Sequence, residues 1–191
     1  MKLRRTRPED LGFVTGLERR PDHATAIGQW TDLEHLAAVQ SPKREHWIIE
    51  QDGTLAGYLI AYDARAEGAG VYVKRLLVAE KDKGIGTLAL AKYLDYAFGT
   101  LAARFTWLTV REGNARAQAV YRRLGFHRLD AAPELDRRLS RAAEPPAAGA
   151  FRMLIKASDW DPGPFLTAVI FRPTGVIPYV RNRTRWRQQA D

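Results

Sequence analysis

The chain has 191 residues, 46% hydrophobic and 27% charged, a balance that gives one soluble domain a real core to bury and excludes disorder throughout. Its 30 Lys and Arg against 22 Asp and Glu leave a net charge of +8, which favours an anionic ligand without separating cofactor phosphates from those of nucleic acid. No run approaches the ~20 apolar residues of a membrane span, no apolar segment follows the basic start Met1–Pro8, and there is no cysteine for a disulfide, thiolate nucleophile or zinc-thiolate site, so a secreted or integral membrane protein is disfavoured and a reducing, cytoplasmic setting fits.

Leu3-Arg4-Arg5-Thr6 reads as a short strand leading through Pro8-Glu9-Asp10 into a helix that ends near Glu18. A second helix starts at Thr31, the N-cap, with Glu34 as its capping-box partner, and Leu33, Leu36 and Ala37 supply an apolar stripe running to Val39. Residues 47–50 and 55–61 form an antiparallel hairpin around Asp52-Gly53, with a somewhat long loop. Residues 71–78 are the clearest strand. The pair Gly84-Ile85-Gly86 then opens a helix whose apolar positions Leu90, Ala91, Leu94, Ala97 and Phe98 share one face. Residues 105–110 make the returning strand, 114–124 another helix with Gly125 as its stop, and Phe126 begins a further strand. Residues 131–150, rich in Ala, Pro, Arg and Glu, read as a mobile excursion before a closing strand at 151–156. The four histidines, His23, His35, His46 and His127, are too scattered to predict a metal site.

Two motifs carry chemistry. Lys81-Asp82-Lys83-Gly84-Ile85-Gly86-Thr87 puts backbone N–H groups, clear of bulky side chains, at a helix start where the macrodipole favours an anion such as a diphosphate. The structural alternative is that these glycines serve positive φ or close packing. Gly84-x-Gly86-x-x-Ala89 also satisfies a dinucleotide fingerprint, with Glu112 as the acid near the next strand's end, but its place after an antiparallel hairpin argues against a nicotinamide or flavin enzyme. In the second motif Asn114, Ala117 and Tyr121 lie on one helix face, a small residue between two polar tips. The alternative there is Asn114 as a plain N-cap and Tyr121 as a core aromatic.

Taken together and in order, Lys81-x-x-Gly84-x-Gly86 and Asn114-x-x-Ala117-x-x-x-Tyr121-x-x-x-Gly125-Phe126 resemble the pyrophosphate loop and second acetyl-CoA motif of the GNAT superfamily of N-acetyltransferases, over roughly residues 2–156. Lysine stands at 81 where the family more often has Gln or Arg, and the connection from Val78 to Gly84 is shorter than usual there. The resemblance implies a single α/β domain of α+β type. Its sheet would be mixed and mostly antiparallel, with a central parallel strand pair splayed apart and helices on its flanks. It assigns Leu76, Leu77 and Val78 to the pantetheine arm of acetyl-CoA, with an N–H near Val78 polarising the thioester carbonyl. It gives the diphosphate to the amides of Lys81, Lys83, Gly84, Ile85, Gly86 and Thr87, a further phosphate to Lys83 or Arg116, and cofactor contacts to Asn114 and Ala117. Tyr121 matches the position of the general acid.

The strand at 71–78 offers Lys74 and Arg75 where many relatives have a glutamate, so Glu112 is the candidate base, acting through water, with a solvated loop acid as its alternative. Asp22, Trp30, Asp32, His35, Asp63 and Glu67 are the acceptor-side residues that could bind a cation. Residues 1–160 are expected to form the domain, and 161–191 an extension whose five arginines and two acids give it +3, leaving +5 for the body. The implied function is transfer of an acetyl group from acetyl-CoA to a primary amine of a small molecule, peptide or protein, with a homodimer as a possible assembly. A non-catalytic acyl-CoA-binding module and a nucleic-acid binder using the Arg/Trp tail are the competing classes; the second is disfavoured by the modest tail charge.

Overall fold

Runs rich in Val, Ile, Leu, Tyr and Trp build one seven-stranded sheet among the residues that the computed structural model describes, 1–24, 27–66, 68–129 and 133–166. The strands are β1 (Lys2–Arg5), β2 (Arg44–Gln51), β3 (Thr54–Asp63), β4 (Val71–Val78), β5 (Phe105–Arg111), β6 (His127–Arg128) and β7 (Ala150–Lys156), in the order β1-β2-β3-β4-β5-β7-β6. Every neighbouring pair is antiparallel except β4 and β5. The helices are α1 (Leu11–Glu18), α2 (Pro21–Ala24), α3 (Asp32–Gln40), α4 (Ile85–Gly99), α5 (Ala115–Arg123), α6 (Pro133–Ala142) and α7 (Gly163–Leu166). This is the mixed, mostly antiparallel α/β architecture that the sequence predicts, and no described helix is long and apolar enough to cross a membrane.

Alternation along β3 divides the core between two faces. Leu59 and Ala61 meet Val73, Leu108 and the buried stripe of α4, in which Leu90, Ala91, Leu94 and Ala97 are fully enclosed. Tyr58 and Ile60 point the other way, onto Val14 and Leu17 of α1, and Tyr72 and Trp107 lie on that same side beneath Leu139 of α6.

Four local readings change. Strands β2 and β3 run to Gln51 and Thr54, so the hairpin loop is the two-residue turn Asp52-Gly53, both at positive φ (51° and 80°), the backbone that matches the twist of the flanking strands. In α3 the capping box from Thr31 to Glu34 forms as read, but Leu33 is 77% exposed and Ala37 is exposed, while His35 and Ala38 face inward. The helix turns this way because His35 has a buried carboxylate to meet. The 131–150 excursion contains α6, which packs Leu135 and Leu139 near Trp107 and Leu154, and Arg152 pairs with Asp136. Packing also continues past Trp160: its buried ring stacks on Phe165 at a centroid distance of 5.9 Å. The Arg/Trp run of the extension, Arg172 to Arg187, and Glu67 lie outside the described residues.

Replacing the fully buried Leu139 by Ala is expected to cost ~2–5 kcal/mol in denaturant unfolding, whereas Leu33→Ala should stay within about 0.5 kcal/mol.

Candidate active site

The only parallel pair among the described strands is short. Val71, Tyr72 and Val73 pair with Thr106, Trp107 and Leu108, and there the ladder stops. The cause lies on the other edge of β4: Ile60 of β3 pairs with Arg75 while the next residue, Ala61, pairs with Val73, so Lys74 is an extra, bulged residue. A bulge bends the strand that carries it. Beyond it Arg75–Val78 continue to pair with β3 and have no ladder partner on the β5 side.

The turn after β4 delivers a helix start to the same end of the sheet. Gly84 caps α4 in the left-handed conformation (φ 73°), which a Cβ would strain, and contributes no side-chain cap bond. The first amides of this fifteen-residue helix, which has no acid in its first turn, are therefore open to an anion. A Cβ on Gly86 would lie 3.6 Å from Val78 Cγ1 and 3.9 Å from Leu76 Cδ2, so the missing side chain leaves space between α4 and the free edge of β4.

Helix α5 approaches from the β5 side. The Asn114 side chain accepts from the Ala117 amide at 3.1 Å and caps the helix. Tyr121 is half-buried and packs against Phe126. Burial, with a smaller contribution from Tyr72, pushes its hydroxyl up to about 12. Tyr72 itself reaches β5 by stacking on Trp107 at a centroid distance of 4.2 Å. Glu112 is 62% exposed on its side chain, 3.9 Å from Arg128, and borders a cavity of about 480 Å³ with Gln118, Arg122 and Phe151. Of the basic residues, Arg116 pairs with Asp82 at 3.2 Å, Lys81 pairs with Asp22 at 2.8 Å, and Lys83 is exposed.

The acceptor-side segment is held by charges. Arg20 donates to the Ala79 carbonyl at 2.8 Å and to Asp22 at 3.1 Å, and Lys81 Nζ donates to the Asp22 carbonyl at 2.8 Å. Deeper in, Glu18 accepts hydrogen bonds from Tyr58, Arg75 and, at 2.9 Å, the Trp30 amide, with His35 Nε2 at 3.2 Å. His35 Nδ1 meets His46 Nε2 at 3.1 Å, and His46 Nδ1 meets the Thr6 hydroxyl at 2.8 Å. Burial opposes the charge on Glu18, but the facing His35 and the bonds from Tyr58, the Trp30 amide and Arg75 outweigh it and hold the carboxyl at about 2. The Arg75 guanidinium also lies 4.7 Å from the centre of the Trp30 ring. Of the predicted cation binders, His35 is thus enclosed, Trp30 sits over Arg75, Asp63 pairs with Arg65, and Asp32 is exposed in the first turn of α3.

The comparisons with known proteins agree with this geometry. The family model for the acetyltransferase (GNAT) family matches residues 12–126, and the chain belongs to that family. It is an N-acetyltransferase, and acetyl-CoA is its acyl donor. The spermidine N(1)-acetyltransferase of Escherichia coli K12 is 26% identical over 137 residues, 66% of this chain and 72% of that one. The spermidine N-acetyltransferase of Vibrio cholerae, crystallised with CoA and spermine, has 18% identity and a TM-score of 0.65, covering 83% of this chain and 96% of that one. The same organism's spermidine/spermine N-acetyltransferase with manganese ions gives 19% and 0.60, over 82% and 92%. The dinucleotide-enzyme alternative fails on topology, because the glycine motif follows a strand antiparallel to β3 in a sheet with one parallel pair. The open α4 amides, the unpaired β4 edge and the space at Gly86 fit a long anionic thioester.

Burial, then the facing His35, holds the His46 imidazole down to about 3, so the unfolded chain binds more protons than the folded one from about pH 6.5 downward, and stability falls with pH. Glu18 adds a second loss as pH drops below the ordinary carboxylate range toward 2. Unfolding free energies measured from pH 8 to 4 should decline below pH 6.5, and His46→Gln should flatten that decline.

Proposed function

We propose that the protein acetylates a primary amine of a small molecule, with the acetyl-CoA arm lying along Leu76, Leu77 and Val78 and its diphosphate at the turn Lys81–Thr87. The observation that carries this reading is the meeting, at one end of the sheet, of the unpaired β4 edge, the open helix start and the Tyr121 face of α5. Acetyl-CoA supplies a thioester carbon open to attack. The amides of Gly84, Ile85, Gly86 and Thr87 hold phosphate oxygens, Lys83 adds a cation, and Ala117 allows close approach beside Asn114. A backbone N–H near Val78 stabilises charge developing on the thioester oxygen. Tyr121 keeps its proton at neutral pH, because burial raises it to about 12, and delivers that proton from Oη to the departing sulfur. Glu112, 3.9 Å from Arg128, is given no step in this reading. A cytoplasmic setting belongs to the same reading.

The relatives point to a polyamine acceptor, and that is the second reading. The charges favour an amine with a single positive charge: Asp22 is taken by Arg20 and Lys81, Asp63 by Arg65 and Glu18 by Arg75, while Lys74 of β4 adds positive charge beside the gap. Acetyl-CoA binding followed by thiol release over an amine panel that includes spermidine decides between them. Acetyl-CoA binding without thiol release on any amine would leave an acyl-CoA-binding module.

Gly86→Val should leave the fold intact, because its Cβ meets only ordinary contacts, yet weaken acetyl-CoA at least tenfold, ~1.4 kcal/mol by titration calorimetry. Tyr121→Phe should lower kcat ~10² to 10⁴-fold while acetyl-CoA affinity is retained, as steady-state kinetics and calorimetry would show.

A further inference from the structure

An ammonium acceptor must lose a proton before its nitrogen can attack, and β4 presents Lys74 and Arg75 at the gap. Two carboxylates on this side are committed, Glu18 to Arg75 and Tyr58, and Asp22 to Arg20 and Lys81. A basic group lies beside them. His23, in α2, is 5% exposed, and its Nε2 is buried with no hydrogen-bond partner, 3.7 Å from Asp22. A buried imidazole nitrogen without a partner is costly unless something else fills the place. Its neighbours tie it to the end of β4: Arg20 donates to the Ala79 carbonyl and Lys81 to the Asp22 carbonyl, each at 2.8 Å, so the orphaned nitrogen is held near the end of the unpaired β4 edge, where the thioester is proposed to lie.

We propose that His23 is the general base of the acetyl transfer, its Nε2 taking the proton from the acceptor ammonium while Asp22, 3.7 Å from that nitrogen, stabilises the imidazolium that forms. The assignment rests on the acetyl-transfer reading above. The first N–H bond breaks toward His23 and its electron pair stays on the amine, which bonds to the acetyl carbon as the carbon–sulfur bond breaks. The sulfur takes the Tyr121 proton. The second N–H proton, lost as the amide forms, restores Tyr121 through water, and His23 passes its proton to solvent, so one proton is released per turnover. Burial and then Lys81 push the imidazole below the ordinary histidine range, Asp22 opposes them, Arg20 adds to the push, and the Val78 backbone resists it. The ring is therefore neutral and ready to accept at pH 7.

The test uses the full chain and an amine found active in the panel. His23→Ala should lower kcat about 10²-fold or more, leave acetyl-CoA affinity within about threefold, remove the acidic limb of the kcat–pH profile, and be rescued by added imidazole. NMR titration of the wild-type His23 ring, with and without CoA, should give a pKa that matches that limb. Undiminished turnover in His23→Ala would overturn the assignment, as would loss of activity together with acetyl-CoA affinity and no rescue. If the alanine variant does not fold, His23→Gln and the wild-type titration decide, and a ring that titrates away from the limb overturns it. A wild-type chain that binds acetyl-CoA yet releases no thiol with any amine removes the acetyl-transfer reading, and the base with it; normal wild-type turnover alongside an equally active His23→Ala removes the base alone.

Discussion

Two parallel strands that stay paired leave no room between them, and this sheet has room because β4 carries one residue too many. Lys74 is bulged against β3, so β4 keeps its antiparallel partner to the end and leaves β5 after Val73. Everything at the site is arranged around that departure. The free edge it creates is an unsatisfied ladder, able to receive an extended, amide-bearing arm as a sheet receives another strand. Continuing along β4 from the same edge, the chain turns at Gly84 and presents the open amides of α4. From the other side, β5 feeds α5, which carries Tyr121, while Tyr72 stacks on Trp107 where the two strands last pair.

The acceptor side depends on a different interaction, the burial of Glu18. A carboxylate with 0% exposure is tolerated only if every lone pair is used, and Tyr58, Arg75, His35 and the Trp30 amide all converge on it. Two of these groups, Tyr58 and Arg75, sit on neighbouring strands, so the carboxylate ties α1 to the part of β4 just beyond the bulge. Trp30 and His35 bring in the following segment and α3. The result explains why α3 turns its polar His35 inward and leaves Leu33 in solvent. It also uses up the Glu18 carboxylate, which is then not free to collect a cation.

What could be read from the sequence was what depends on neighbours in the chain. The capping box at Thr31 and Glu34, the α4 stripe, the strand at 71–78 and the glycine turn each follow from local spacing, and both cofactor motifs were visible for that reason. The bulge was not, because it exists only in the register between β3 and β4. The orientation of α3 was set by Glu18, which no periodicity within 31–40 reveals. In α6, an Ala, Arg and Glu background hid Leu135 and Leu139, whose burial depends on Trp107. His23 went unmarked because the contacts that hold its segment to the end of β4, from Arg20 to Ala79 and from Lys81 to Asp22, join residues remote in sequence, although its place next to Asp22 in the acceptor-side segment was a signal that could have been followed.

The central claim is that the unpaired edge of β4 receives the acyl donor, and residue-resolved amide exchange with and without acetyl-CoA addresses it most directly. Amides of Lys74–Val78 that face β5 should exchange fast in the free protein and become protected when acetyl-CoA binds, together with those of Gly84–Thr87, while the β3-facing amides of the same strand remain slow throughout. Protection that appears elsewhere and leaves both segments unchanged would contradict the account.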